Sequence, residues 1–138
     1  MNKWSHSSIK KLETCHPDLQ TLFNEVLSIH DCTIVYGRRS KSEQDRMYQE
    51  GKSKLQYPRS KHNDNPSSAA DVIPFVNGSG SWDRERIILF GGIVLAVADR
   101  LYNEGLMTHK IRWGGNWSTN PSKDFAKFFD GAHFELYK

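Results

Sequence analysis

The chain has 138 residues, 37% of them hydrophobic and 25% charged, and a formal net charge of +3. That length fits one domain able to bury its own core without disulfides or a structural metal. No single segment holds the charge: seven of the 19 Lys and Arg cluster loosely, at Arg38, Arg39 and Lys41 and at Lys52, Lys54, Arg59 and Lys61, with no RNA-binding signature or zinc-finger spacing, which argues against nucleic acid as the partner.

The first residues, Met1-Asn2-Lys3-Trp4-Ser5-His6, lack the apolar core of a secretory leader, so synthesis in the cytosol is expected. A short helix is expected around Ser7 to Glu13. Pro17 can open a second, because its missing N–H would be unpaired in the first turn anyway. Leu19, Leu22, Phe23, Val26 and Leu27 follow at helical spacing. Cys32-Thr33-Ile34-Val35-Tyr36 is rich in β-branched residues and predicts a strand ended by Gly37. Ser42 is the expected cap of a third helix, which runs to about Glu50 and stops at Gly51. Lys52 to Ser68 is polar and holds two prolines, the mark of a long and often functional loop. Ala69 to Phe75 is an apolar strand that carries Asp71 inward. Asp83 caps a long helix from Arg84 to Asn103, with Gly105 near its end. Its apolar run from Ile87 to Ala98 is broken by Gly91-Gly92 and flanked by charges, too short to span a bilayer. Lys110 to Trp113 and Ala132 to Leu136 are the last strands. Few strands mixed with helices, and no βαβ repeat, predict an α+β domain. No linker or repeat divides the chain, so residues 1–138 read as a single domain. Cys15 and Cys32 lack CxxC spacing and read as small buried thiols.

Two histidines and a carboxylate suffice to hold a catalytic Zn²⁺, and His62, Asp71 and His133 are the candidates. Asp71 interrupts an apolar strand, where an unpaired carboxylate would be costly. It needs either a buried arginine or a metal. Three protein ligands leave a position open for water, and a net positive site would acidify that water and polarise a peptide carbonyl. His6, His16, His30 and His109 have no comparable context and are expected at the surface.

Four short motifs run in order along the chain. They are Gly37-Arg38-Arg39-Ser40 followed by Glu43-Gln44, Ser60-Lys61-His62 with Ala69-Ala70-Asp71, Trp113-Gly114-Gly115-Asn116-Trp117, and Asp130 three positions before His133-Phe134-Glu135. Together, from about Ile34 to Leu136, they resemble the phage branch of the zinc D,D-carboxypeptidase / L-alanyl-D-glutamate endopeptidase family, the peptidoglycan peptidases used as endolysins. The stretch between His62 and Asp71 is longer than in many relatives, and Ser67 stands where they carry glycine.

The resemblance implies a small antiparallel sheet with flanking helices, the Hedgehog/D-Ala-D-Ala-peptidase-like form of α+β. It implies one Zn²⁺ on His62, Asp71 and His133, with Asp130 as general base; the plainer reading of Asp130 is an Asp-Gly turn residue. Arg39 is the implied oxyanion stabiliser, with adjacent Arg38 pointing the other way on an extended chain, although the two could be exchanged. Ser60 is expected to hydrogen-bond near the site. Glu135, on the strand face of His133, would orient a ligand. Trp113 and Trp117 would either wall the substrate groove or fill the core. The implied reaction is hydrolysis of the L-alanyl-D-glutamate bond of the stem peptide, by a monomer without a separate cell-wall-binding domain. D-Ala-D-Ala carboxypeptidase activity is the alternative, and a silent zinc-dependent wall-binding module a weaker one. An enzyme made in the host cytoplasm and acting on the wall would need a membrane-permeabilising partner for release.

Overall fold

The computed structural model describes residues 1–138. Each helix begins where a side chain can take an N–H group left free by the first turn. Ser5 caps α1 (His6–Leu12) through the amide of Ser8. The Nδ1 of His16 accepts from the amide of Asp18 at the start of α2 (Pro17–Leu27), with Pro17 in the first turn. Asp83 caps α4 (Arg84–Asn103). The cap of α3 (Lys41–Gln49) is Ser40 rather than Ser42. Ser40 Oγ accepts from the amide of Glu43, and the Glu43 carboxylate accepts from the amide of Ser40. Only Ser40 has a glutamate three residues on to complete that reciprocal pair, and this selects it.

The strands are β1 (Cys32–Tyr36), β2 (Ala69–Val76), β3 (Ser79–Gly80), β4 (Lys110–Trp113) and β5 (His133–Tyr137). The main sheet is antiparallel in the order β1-β2-β5-β4, with β3 paired to the far end of β2. The β2–β3 hairpin is absent from the sequence-based expectation. Its signal is Asn77-Gly78, whose φ angles of 51° and 85° suit a two-residue hairpin turn.

Along β5 the side chains alternate between faces. Phe134 and Leu136 enter the core, while His133 and Glu135 face the other way. Phe134 is fully buried, with its ring centroid 5.6 Å from Phe23 of α2 and 6.3 Å from Phe90 of α4. Burying a ring of this size contributes about 1.5–3 kcal/mol. These two helices therefore cover one face of the sheet. Trp113, on β4, also belongs to the core and presses on α4 at Gly91, where a Cβ would come within 2.6 Å of the indole. That close approach explains the first glycine of the pair, Gly91; a Cβ at Gly92 would meet nothing within 4 Å. Cys15 and Cys32 are buried free thiols, as expected, and no helix is long and apolar enough to cross a membrane.

The long Lys52–Ser68 loop contains a 3₁₀ turn at Lys61–Asn63. Its last residues are stapled to the α1–α2 connection. The amide of Ser67 donates to Thr14 O at 2.9 Å, and the amide of His16 donates to Ser67 O at 2.9 Å. Ser67 is fully buried, with its hydroxyl bonded to Ala69 O.

Candidate metal centre and active site

Strand register places Asp71 of β2 directly opposite His133 of β5. His62 arrives from the 3₁₀ turn, where Ser60 Oγ accepts from the amide of His62 at 3.2 Å. The three side chains converge. His62 Nε2 lies 3.1 Å from Asp71 Oδ1 and 3.2 Å from His133 Nδ1, and His133 Nδ1 lies 3.2 Å from Asp71 Oδ1.

The outer nitrogens decide what the inner ones can do. His62 Nδ1 donates to Gly37 O at 2.8 Å, and His133 Nε2 donates to Glu135 Oε1 at 2.9 Å. With both outer nitrogens carrying hydrogen, two lone pairs and a carboxylate oxygen point at one another. Such a cluster requires a cation, either a proton or a metal ion. The titration of the bare site reflects the same demand. Burial opposes charging His133, yet its bonds to Asp71 and Glu135 raise it to about 9. Burial likewise works against an ionised Asp71, but the His62 charge and hydrogen bonds from both histidines hold it well below the usual carboxylate range. Asp71 also meets a buried arginine: Arg39 Nη2 lies 3.5 Å from its other oxygen, Oδ2.

A second trio, His16, Asp18 and His109, also brings ligating atoms together, which corrects the expectation that these histidines are isolated surface residues. Both are half-buried, as is His30, whose ring stands edge-on to Phe90. Here the inner atoms are already satisfied. His16 Nδ1 caps α2, and Asp18 Oδ2 accepts from the amides of Thr108 and His109, the Thr108 hydroxyl and His109 Nδ1. This trio is a structural tie between α2 and the approach to β4.

The first trio sits in a groove of about 480 Å³, within the size range of small-molecule sites. Of the residues expected at the site, Arg39, Ser60, His62, Asp71, Trp117, Asp130, His133 and Glu135 line it. Arg38 does not; it lines a shallow depression with Lys10 and Lys11. Trp113 does not either, and as a core residue it supports the site from behind by donating from Nε1 to Gly131 O at 2.7 Å. Trp117 forms a wall, its ring centroid 5.5 Å from that of His133. A second groove, of about 500 Å³ between α4 and β4, shares no lining residue with the first and gathers no ligating set.

Asp130 is held by backbone on both sides, its amide donating to Gly114 O at 2.9 Å and its carbonyl accepting from the amide of His133 at 3.1 Å. Burial, aided by the nearby Asp71 charge, pushes its carboxyl above the usual range against the pull of His133, His62 and Arg39. Glu135 is flanked by Arg112 Nη1 at 3.5 Å and Lys61 Nζ at 3.6 Å. Burial works against its ionisation, but the His133 bond and these two cations keep it below its ordinary value. Sequence reasoning does not single out Arg112, whose place follows from facing Glu135 across the β4–β5 ladder.

An open donor trio at the floor of a groove, with a carboxylate and an arginine beside it, defines a candidate hydrolytic metal centre. Residues 1–137 match the family model of phage L-alanyl-D-glutamate peptidases, and the chain belongs to that family. Its fold is similar to that of the Serratia marcescens L-Ala D-Glu endopeptidase ChiX, with a TM-score of 0.75 and 26% identity over 97% of this chain and 89% of that one. No curated protein matches the sequence.

Proposed function

We propose that the protein is a zinc peptidase that hydrolyses the L-alanyl-D-glutamate bond of peptidoglycan stem peptides as a phage endolysin. The observation that carries the metal is the inward convergence of His62 Nε2, His133 Nδ1 and Asp71 Oδ1 while the outer imidazole nitrogens are occupied. Mixed imidazole and carboxylate donors suit Zn²⁺. When bound, the metal supplies an acidified water and an electrophile for the scissile carbonyl.

The remaining chemistry falls to the chain's own groups. Asp130 takes a proton from the attacking water and returns it to the leaving amine of D-glutamate, from its place on the groove lining beside the donor trio. Arg39 faces the groove and stabilises the negative charge that builds on the carbonyl oxygen. Trp117 closes one side against water. The enzyme is made in the host cytoplasm and reaches the wall after a membrane-permeabilising partner opens the way.

The test is digestion of purified Gram-negative wall followed by mass spectrometry of the products. New D-glutamyl amino termini are expected, with L-alanine left on the glycan. Chelation should abolish their release and Zn²⁺ restore it, while the metal-free protein stays largely folded on its own core. Free D-alanine as the main product would establish the carboxypeptidase reading instead.

A further inference from the structure

Gln44 belongs to the Glu43-Gln44 pair that follows the Arg39 motif, and it has no part in the mechanism above. It is completely buried on α3. Its side-chain amide has bonding partners at both ends. Oε1 accepts from Arg39 Nη1 at 2.9 Å and from Asn63 Nδ2 at 3.4 Å. Nε2 donates to Ser53 Oγ at 3.0 Å and to Leu55 O at 2.6 Å.

We propose that Gln44 is a positioning residue that sets both the Arg39 guanidinium and the Ser53–Leu55 bank of the groove through this one amide. The inference rests on the reading of Arg39 as the group that stabilises the oxyanion. The Arg39 backbone is fixed independently, its amide donating to His62 O at 2.7 Å and its carbonyl accepting from Asn63 Nδ2 at 3.0 Å. What needs holding is the side chain. It lies against the Tyr36 ring, with Cζ 5.0 Å from the centroid, and its Nη2 contact with Asp71 is long at 3.5 Å. The bond to Gln44 is the short one. A neutral acceptor suits this place, because a carboxylate would neutralise the charge that the groove requires. The donor end matters equally. Ser53, Lys54 and Leu55 line the groove on a segment with no regular secondary structure, and the Gln44 amide pins it to α3. Arginine and groove wall are therefore aligned by one side chain.

The experiment compares Gln44→Met, similar in size but unable to accept or donate strongly, in the natural background and in Arg39→Ala. Steady-state kinetics on a stem-peptide substrate, Zn²⁺ affinity and thermal unfolding are read for each protein. With Arg39 present, Gln44→Met should lower kcat by about 10- to 100-fold, the scale of a misplaced catalytic group. In Arg39→Ala it should leave kcat nearly unchanged, because nothing remains to be aimed. KM should rise in both backgrounds, since the groove wall does not depend on Arg39, and Zn²⁺ affinity should hold in all four proteins. An equal kcat loss in both backgrounds, or none in either, would overturn the proposal. If Arg39→Ala itself leaves kcat intact, it is the reading of Arg39 that fails. Should Gln44→Met not fold, Gln44→Glu replaces it. That variant sets a carboxylate against both the Arg39 charge and Leu55 O, so kcat should fall with Arg39 present and stay nearly unchanged in Arg39→Ala while KM rises in both backgrounds, and an equal kcat loss in both backgrounds, or none in either, would overturn the proposal.

Discussion

Glu135 shows how a residue outside the donor trio can decide its geometry. One carboxylate oxygen takes the Nε2 hydrogen of His133, and the other faces Lys61 and Arg112. The imidazole is thereby committed to presenting Nδ1 inward. Glu135→Ala should weaken Zn²⁺ binding about 10- to 100-fold, the usual effect of losing such a partner, with little change in folding. Competition against a calibrated chelator measures it, and an unchanged affinity would show that the strand alone orients the ring. Asp130 should behave in the opposite way. Asp130→Asn should keep the metal and lose about 10²–10⁴-fold in rate; loss of the metal would instead make Asp130 a ligand. At this scale the sequence was most legible where short motifs meet in the fold, as for His62, Asp71, His133, Asp130 and Arg39, all of which line one groove. The contacts of Gln44, visible only as part of a motif, and the place of Arg112 were hidden because their partners come from the long loop and from a neighbouring strand. The place of Trp113 was equally out of reach, since it depends on a helix glycine that makes room for the indole.

Helix and strand limits follow from local chemistry, and the expectations that differ have local reasons. Residues 84–103 and 110–113 have the expected bounds because Asp83 supplies a cap and β-branched or aromatic residues mark the strand. The α3 cap moved by two residues because the glutamate that reciprocates it is Glu43. Ser40→Ala should therefore cost about 1 kcal/mol of stability, read from the denaturant midpoint at constant slope. Ser42→Ala should cost far less, and equal losses would contradict the assignment. The Asn77-Gly78 hairpin was a signal present in the sequence and left unused. The clustering of His16 with His109 was not readable, because α2 and the approach to β4 meet only in the folded chain.

The tie between those segments matters for the molecule as a whole. Burial opposes ionisation of Asp18, yet the bonds from Thr108 and His109 outweigh it and lower its pKa. A carboxylate lowered in the folded state stabilises the protein above its unfolded pKa, about 3.9, and that contribution fades as the pH drops through the folded value. Asp18→Asn should thus be less stable than the natural protein at neutral pH by about 1–3 kcal/mol, because buried donors lose a charged acceptor. The gap should narrow as the pH is taken below about 4. Denaturant unfolding of both proteins across that range measures it, and a gap that is independent of pH would remove Asp18 from the acid response.

The strand order has a further consequence during synthesis. β5 lies between β2 and β4, although both precede it in the chain. A growing polypeptide therefore emerges with the facing edges of β2 and β4 unpaired, and the sheet closes only when the segment carrying His133 arrives. Such late, long-range closure slows folding and leaves sticky edges exposed meanwhile. A ribosome-bound chain stopped before His133 would lack both its central strand and a third of its donor set. It should be protease-sensitive and prone to aggregate, and its peptidase chemistry would be withheld until the sheet is joined.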